Sequence, residues 1–221
     1  SNFKGLLTYV RKRGVLVGVN DYKDQSVQTF NKQADNYHST FFGKHARSLY
    51  NYVLDEIKID TYDSVLDVGC GRGDVLALIV SKDNKIKAHG VDLSPKMLKF
   101  ANHKLKEQAV LKMGDSENIP WNSDEFSLVT CTDSFHHYPN PQIALSEMYR
   151  VLKQSGKLII SEIWLPTPAR QVTNMVLPMM KTGDVRIYSK NELTYMLDKC
   201  GFKNIVWKRL NMMAYLCTAE K

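Results

Sequence analysis

The sequence predicts an α/β protein in which a mostly parallel sheet carries helices on both faces. Three observations support this prediction. An apolar strand at residues 65–68 leads into a glycine-rich turn and then into the apolar stretch 75–80. A second strand, at residues 86–92, ends in an acidic residue. From there to the end of the chain, strand-forming and helix-forming segments alternate, which is typical of βαβ units.

The glycine-rich turn is the first sign of a ligand site. Gly69, Gly71 and Gly73 occupy alternate positions between the strand and the helix. Glycines let the backbone turn tightly with no Cβ in the way, so a ligand can lie directly against the main chain. The helix that follows offers free N–H groups and the positive end of its dipole. The turn therefore predicts a site for a small, nucleotide-like molecule at the carboxyl end of the first strand of the domain.

Asp92 is the second sign of the same site. It follows Gly71 by 21 positions, close to the ~20-residue interval at which an acid meets a ribose hydroxyl in dinucleotide-binding folds. A carboxylate has two acceptor oxygens and can bind both ribose hydroxyls. The alternative is a helix-capping aspartate. Ser94 and Pro95 weaken that alternative, because they already fit the N-cap and the first helical position.

Two cofactors compete for this pattern. The dehydrogenase fingerprint requires glycine or alanine at position 74, where Asp74 stands instead. The acid and three glycines of residues 67–73, together with residues 91–98, resemble the class I S-adenosylmethionine-dependent methyltransferases, in particular the ubiquinone/menaquinone-biosynthesis-like (type 11) branch. This resemblance implies S-adenosylmethionine as the cofactor. It also implies a Rossmann-like, seven-stranded, mostly parallel sheet with an antiparallel last strand and an N-terminal helical cap.

The resemblance extends to further segments and implies roles in the cofactor cleft. Residues 30–37 are similar to the family's F-D-x-x-A-x-x-Y segment, whose tyrosine, here Tyr37, helps to close the cleft. Residues 114–121 are similar to G-D-A-E-x-L-P-F, which implies adenine contacts for Asp115 and for the N–H of Ser116. Helix packing for Tyr37 and an Asx turn for Asp115 are the alternatives. The implied cofactor residues are Tyr37, Asp67, Gly69, Gly71, Gly73, Asp92, Leu93, Met97, Asp115, Ser116 and, through nearby backbone groups, Cys131.

Candidate catalytic residues follow the fourth strand of the domain. His136 and His137 lie in the loop that faces the acceptor in the family, and histidine titrates near neutrality, so either could remove a proton. Tyr138 and Asp133 are lesser candidates. The alternative is a structural role, in which the histidines hold the loop by hydrogen bonds. No metal is expected, since no third ligand lies nearby in sequence.

We expect two parts in the chain. Residues 1–60 form an N-terminal helical cap, in which Phe30, Ala34, Tyr37 and Phe41 recur at helical spacing on one face. Residues 61–221 form the S-adenosylmethionine-binding domain, with an acceptor-side insertion at 163–188. That insertion combines three prolines with several methionines, and methionine adapts to irregular apolar ligands. It predicts a lid over an apolar or partly aromatic acceptor; the alternative is that it covers the core.

Composition and charge narrow the expected cellular location and the expected partners of the protein. No run of 18 apolar residues is present, so no membrane span is expected, and residues 14–19 are too short for a signal-peptide core. Four scattered cysteines without a C-x-x-C pair favour a reducing compartment, and the expected location is cytoplasmic. The net charge of +7 comes mostly from residues 150–221, which carry 12 basic and 5 acidic groups. These charges are dispersed, which favours a solvated surface over a nucleic-acid site.

The function expected from the sequence is in-line methyl transfer from S-adenosylmethionine to a small-molecule acceptor, either apolar or anionic. No nucleic-acid partner is expected, because residues 133–136 replace the N-P-P-[YF]-type loop of amino-directed nucleic-acid enzymes. The alternative is a non-catalytic or NAD-type nucleotide-binding Rossmann module.

Overall fold

A computed structural model of the chain describes residues 9–12, 15–58 and 61–221. Its strands are β1 (Tyr9–Lys12), β2 (Val15–Gly18), β3 (Ser64–Val68), β4 (Lys87–Asp92), β5 (Ala109–Met113), β6 (Phe126–Thr132), β7 (Leu152–Ile163), β8 (Lys203–Arg209) and β9 (Ala214–Glu220). Its helices are α1 (Val19–Gln33), α2 (Phe41–Glu56), α3 (Asp74–Lys82), α4 (Pro95–Leu105), α5 (Pro141–Val151), α6 (Ala169–Met180) and α7 (Lys190–Cys200).

Seven strands form one sheet in the order β5-β4-β3-β6-β7-β9-β8. Every neighbouring pair from β5 to β7 is parallel, and β9 runs antiparallel to both β7 and β8. The predicted fold class is thereby confirmed. The chain builds outward from β3 to β5 and then returns to β6 on the other side of β3. At such a switch point the carboxyl ends of the strands open a crevice for ligands.

The core lies on both faces of this sheet. On one face, apolar side chains of α2, α3 and α4 pack against the strands. On the other face, side chains of α5 and α7 do the same. All five residues of β3 are buried, as expected for a central strand that is covered on both faces.

Short polar motifs fix the helix ends near the cleft. Ser94 Oγ accepts a hydrogen bond from the N–H of Met97 at 3.1 Å, with Pro95 at the first helical position of α4. Ser189 and Glu192 form the predicted capping box at the start of α7. Asn140 stands at the N-cap of α5 as expected, but its side chain makes no capping hydrogen bond and donates to Glu117 at 2.9 Å instead.

The N-terminal region differs from the prediction. The prediction of one continuous helical face from Phe30 to Phe41 is wrong, because α1 ends at Gln33 and α2 begins at Phe41 after a short 3-10 turn. Thr40 starts the new helix by accepting a hydrogen bond from the N–H of Gly43 at 3.0 Å. Phe41 is consequently 61% exposed. A hairpin of β1 and β2 precedes α1; residues 1–8, 13–14 and 59–60 of the expected cap lie outside the described ranges.

The expected insertion contains one helix, α6, with an apolar side facing solvent. Leu177 is buried, whereas five large apolar side chains are exposed: Val172, Met175, Val176, Met179 and Met180. Most of this helix therefore does not cover core. None of the described helices is long and apolar enough to cross a bilayer.

Candidate functional site

Two neighbouring pockets open at the carboxyl ends of β3, β4 and β6. The α1 pocket lies between α1 and the segments after β4 and β5, and the turn pocket lies against the glycine-rich turn. Phe30, Gly69, Asp92 and Ser134 line both. The α1 pocket and the turn pocket enclose about 540 and 520 Å³, part of it open to solvent. These volumes are within the range of small-molecule sites.

The three glycines of the turn are required for different structural reasons, although all three have left-handed φ angles. A Cβ on Gly69 would lie 2.0 Å from Ser134 Oγ, and one on Gly73 would lie 2.7 Å from Leu105 Cδ1. These two glycines are therefore required by packing within the protein. A Cβ on Gly71 would meet nothing within 4 Å, because it would point into open space. Gly71 is the position at which a ligand can reach the bare main chain.

Asp92 closes the turn from the end of β4. Its Oδ2 accepts a hydrogen bond from the N–H of Gly71 at 2.8 Å, and its Oδ1 accepts one from the N–H of Ser94 at 2.7 Å. Burial raises the pKa of this carboxyl group, while the two backbone hydrogen bonds act in the opposite direction. Each carboxylate oxygen retains a second lone pair, which can accept from a ligand hydroxyl.

The turn pocket is acidic. Four carboxylic side chains line it: Asp67, Asp74, Asp92 and Asp133. Burial raises the pKa of Asp67 to about 7, against a lowering effect of the hydrogen bond that Thr130 donates to it at 2.7 Å. Arg72 also lines this pocket, but its Nη1 donates to the carbonyl of Ala34 at 2.7 Å.

In the α1 pocket, Asp115 is already engaged by a residue that the sequence did not single out. Lys23 of α1 lies 2.6 Å from Asp115 Oδ2 and 2.8 Å from Glu117 Oε2. Asp115 Oδ1 also accepts from the N–H of Glu117 at 2.9 Å, so the Asx turn considered as an alternative is present. The side chain therefore anchors α1 and its own loop while it lines the pocket.

Most of the other predicted cofactor residues lie on the pocket walls. Leu93 and Ser116 line the α1 pocket, and Tyr37 and Met97 line the turn pocket. Two do not. Gly73 packs against α4, and the side chain of Cys131 is fully buried with its Sγ 3.5 Å from the hydroxyl of Tyr138. The strand end reaches the turn pocket one residue later, through Thr132, Asp133 and Ser134.

His136 is a buried member of a polar network. Its Nδ1 lies 2.6 Å from Glu162 Oε2, and Glu162 Oε1 accepts from the N–H groups of Ser134 and Phe135. Burial acts to lower the pKa of His136, but Glu162 and Asp184 raise it well above its usual value. His136 lines neither pocket, so it fits the structural alternative: it holds the loop after β6.

His137 lies on the wall of the α1 pocket. Its ring lies beside that of His136, tilted by 40° with centroids 4.1 Å apart, and meets Phe30 edge to face at 5.0 Å. Burial and the neighbouring His136 lower its pKa to about 4. Of the two candidate histidines, only His137 contacts the space in which a ligand would lie.

A second histidine–carboxylate pair was not predicted from the sequence. His45 Nδ1 of α2 lies 3.0 Å from Asp133 Oδ1, and His45 Nε2 lies 3.3 Å from the carbonyl oxygen of Met213. Burial acts to lower the pKa of His45, but Asp133 outweighs it and the net shift is upward. The contact joins α2 to the loop after β6 and to the β8–β9 turn.

Known proteins share this arrangement. A family model described as a methyltransferase domain matches residues 66–160. The demethylmenaquinone methyltransferase of Lactobacillus johnsonii is 28% identical over 193 residues, covering 72% of this chain and 75% of the relative. That of Thermotoga maritima is 34% identical over 108 residues, covering 49% and 47%. The solved structure of PigF with SAH has a TM-score of 0.73 at 22% identity, covering 90% of this chain and 62% of that one; at this identity, the likeness shows the fold.

The strand order, the glycine-rich turn and the family match together define the class of protein. Residues 66–160 match the methyltransferase-domain family, and with the similarity to known methyltransferases this indicates an S-adenosylmethionine-dependent methyltransferase. The curated relatives that it resembles are demethylmenaquinone methyltransferases. These matches favour a methyltransferase over the alternative of a non-catalytic or NAD-type nucleotide-binding module. Alignments with the curated relatives cover between 47% and 79% of those proteins' lengths.

Proposed function

We propose that this chain binds S-adenosylmethionine across the two pockets and transfers its methyl group to a small, apolar acceptor of the quinol type. The cofactor supplies an electrophilic methyl carbon on a sulfonium. The C–S bond breaks as the bond from the acceptor atom to carbon forms, so the protein mainly positions and desolvates the two partners.

The observation that carries this proposal is the charge of the turn pocket. The carboxyl groups that line it suit a ligand with a sulfonium and an ammonium group, and they would repel the pyrophosphate of a dinucleotide. Asp74 forms an ion pair with Lys104 and contacts His38 at 2.9 Å, and Asp133 is paired with His45 at 3.0 Å. Asp67 and Asp92 have no such cationic partner among the described residues, so they remain available to a cationic ligand.

The adenosine half of the cofactor fits the residues around the α1 pocket. In this proposal, the free lone pairs of Asp92 accept from the ribose hydroxyls, and Leu93 packs against the base. Asp115 and the N–H of Ser116 bind the polar edge of adenine. Lys23 already holds one oxygen of Asp115, so it orients that carboxylate and closes the pocket from the α1 side.

The methionine half fits the turn pocket. Gly71 offers the open main chain, and Asp67 lies beneath it at the end of β3. Tyr37 and Met97 supply apolar wall that excludes water from the sulfonium. Gly73 takes an indirect role in this proposal, because it lets α3 pack closely on α4 and thereby positions the turn.

The acceptor class rests on α6 and on the relatives. The two relatives described above are named for their action on demethylmenaquinone, an apolar quinone. The exposed methionines of α6 can adapt to an apolar molecule that approaches the cleft. His137, on the wall of the α1 pocket, is the candidate histidine nearest to an incoming acceptor, while His136 keeps the loop in place.

Calorimetry tests the cofactor assignment, with S-adenosylhomocysteine and NADH titrated into the purified chain. We expect binding of S-adenosylhomocysteine alone. Asp92→Ala should weaken it by about 1–3 kcal/mol, because the buried hydroxyls lose a charged acceptor. The exposed Asp198→Ala serves as the matched control. Tight NADH binding, or unchanged affinity in the Asp92 variant, would overturn the assignment.

Mass spectrometry tests the acceptor class. The chain is incubated with S-adenosylmethionine carrying a labelled methyl group and either a reduced, short-chain demethylnaphthoquinol or a polar catechol of similar size. Label is expected in the naphthoquinol. Transfer to the catechol alone would contradict the apolar acceptor while leaving the cofactor assignment intact.

A further inference from the structure

We propose that His136, His137 and Asp184 form a binding site for one divalent transition-metal ion of the Zn²⁺ type, at the wall of the α1 pocket. No metal is expected from the sequence, because Asp184 lies 47 positions after His137, within the predicted insertion. The fold brings the loop after β6 and the segment between α6 and α7 together.

The geometry of the three donor atoms fits such an ion. Asp184 Oδ1 lies 3.4 Å from His136 Nε2 and 3.3 Å from His137 Nδ1, and all three atoms lie within 4.8 Å of one another. Ligand atoms about 2.0–2.1 Å from a tetrahedral Zn²⁺ are separated by about 3.3–3.4 Å. The two separations that involve Asp184 therefore match the edges of one tetrahedron.

Two of these atoms make ion-pair contacts within the cluster but no hydrogen bond of good geometry. Within the described ranges, neither His137 Nδ1 nor Asp184 Oδ1 has a hydrogen-bond partner, although both are buried. The side chains of His137 and Asp184 are only 10% and 4% exposed. Buried polar atoms are almost always satisfied, so an unpartnered pair that converges on one point indicates a missing ligand.

The surroundings also resemble those of a metal site. A metal-binding histidine usually donates its other ring N–H to a carboxylate, which fixes the ring and its tautomer. His136 has this arrangement, since its Nδ1 lies 2.6 Å from Glu162 and its Nε2 is directed towards Asp184. The second oxygen of Asp184 is held in turn by the hydroxyl of Thr182.

The donor set defines the class of ion. Two imidazole nitrogens and one carboxylate suit Zn²⁺ and similar ions, whereas Mg²⁺ and Ca²⁺ prefer oxygen ligands. Three protein ligands leave a fourth tetrahedral position for water or for an oxygen of a bound molecule. Because Asp184 precedes α7, the ion would also fix this segment to the loop that carries the two histidines.

Metal titration of tag-free protein tests the proposal. We expect one Zn²⁺ per chain by calorimetry, and a bound Co²⁺ with the intense visible absorption of a tetrahedral site. Asp184→Asn and His137→Gln should abolish both signals. Glu162→Gln, which leaves the three ligands in place and alters the carboxylate that holds His136 and the N–H groups of Ser134 and Phe135, should weaken Zn²⁺ binding by about 10- to 100-fold. The exposed His103→Gln is the matched control.

The alternative is that His136 is simply an imidazolium held between Glu162 and Asp184. In that case the protein would bind no stoichiometric Zn²⁺, and NMR would show protons on both ring nitrogens of His136 in the presence of the ion. Either result overturns the proposal, as does equal affinity for Mg²⁺. Circular dichroism of each variant identifies any that fails to fold, and Glu162→Gln then decides the outcome, because its amide preserves the size of the side chain.

Discussion

Gly71→Ala should separate cofactor binding from folding. Gly71 has a φ of +52°, and an L-residue in the left-handed region costs about 1–2 kcal/mol. A Cβ there meets no protein atom within 4 Å, so no steric cost adds to this. For a domain of this size, the loss corresponds to a fall in melting temperature of roughly 2–8 °C.

Gly71→Ala should weaken ligand binding more than it destabilises the fold. In our assignment, the added methyl group occupies space that the cofactor needs, and overfilling a packed contact costs about 1–3 kcal/mol. The dissociation constant of S-adenosylhomocysteine should therefore rise by about 5- to 150-fold. Calorimetry of the ligand and thermal unfolding of the ligand-free protein measure the two effects separately.

Gly73→Ala is the matched control. Its Cβ would lie 2.7 Å from Leu105 Cδ1 and 3.1 Å from Ala101 Cβ, so it should destabilise the packing of α3 on α4 without entering the pockets. We expect the larger fall in melting temperature here and the larger fall in affinity at Gly71. Wild-type affinity in Gly71→Ala, or the same pattern of losses in both variants, would refute the reasoning.

Three further predictions address stability and the N-terminal helix. The raised pKa of Asp67, about 7 against an ordinary 3.8, means that the folded state loses stability as pH rises from about 4 to 7, by up to about 4 kcal/mol in total. Asp67→Asn should remove the part of that loss that falls between pH 5 and 8, about 2–3 kcal/mol, in denaturation curves at those two pH values, and the same pH dependence in both proteins would contradict this. Lys23→Met should speed amide exchange across α1, since its ion pair with Asp115 is lost; unchanged exchange would show that the pair is dispensable. Ser189→Ala should cost about 0.5–2 kcal/mol by removing the capping box, and an unchanged melting temperature would rule that contribution out.

The sheet and the turn could be predicted because their signals are local. Residues 65–80 carry a buried strand, a glycine turn and a helix in one stretch, and the acid at Asp92 lies at a recognisable distance. The capping residues Ser94 and Ser189 mark helix starts within a few positions of the observed ones. Such features depend on backbone sterics and nearby hydrogen bonds, which the sequence shows directly.

The prediction for the N-terminal region was wrong because the helical spacing of its apolar residues had another cause. Ala34 and Tyr37 do pack together, with Met97 of α4, but they belong to a turn between two helices. Shared burial produced the helical spacing without a continuous helix. Thr40, which begins α2 by capping it, was the local signal that could have revealed the break.

The missed site residues have no local signal. His45 meets Asp133 across 88 positions, and Lys23 meets Asp115 across 92. Such pairs exist only once α1 and α2 have packed on the sheet. Asp184 could not be predicted either. Its segment is characterised by prolines and methionines, and nothing in the sequence indicates that its single acid is buried.

The position of α1 has a kinetic consequence. Phe30 forms part of the wall of both pockets, and Lys23 bridges to the loop after β5. A displacement of this one helix would uncover both pockets together, so in our proposal entry of S-adenosylmethionine and departure of S-adenosylhomocysteine share one gate. Turnover should then slow whenever that gate is held shut, as a cross-link between α1 and the body of the domain would do, even with the chemical step untouched.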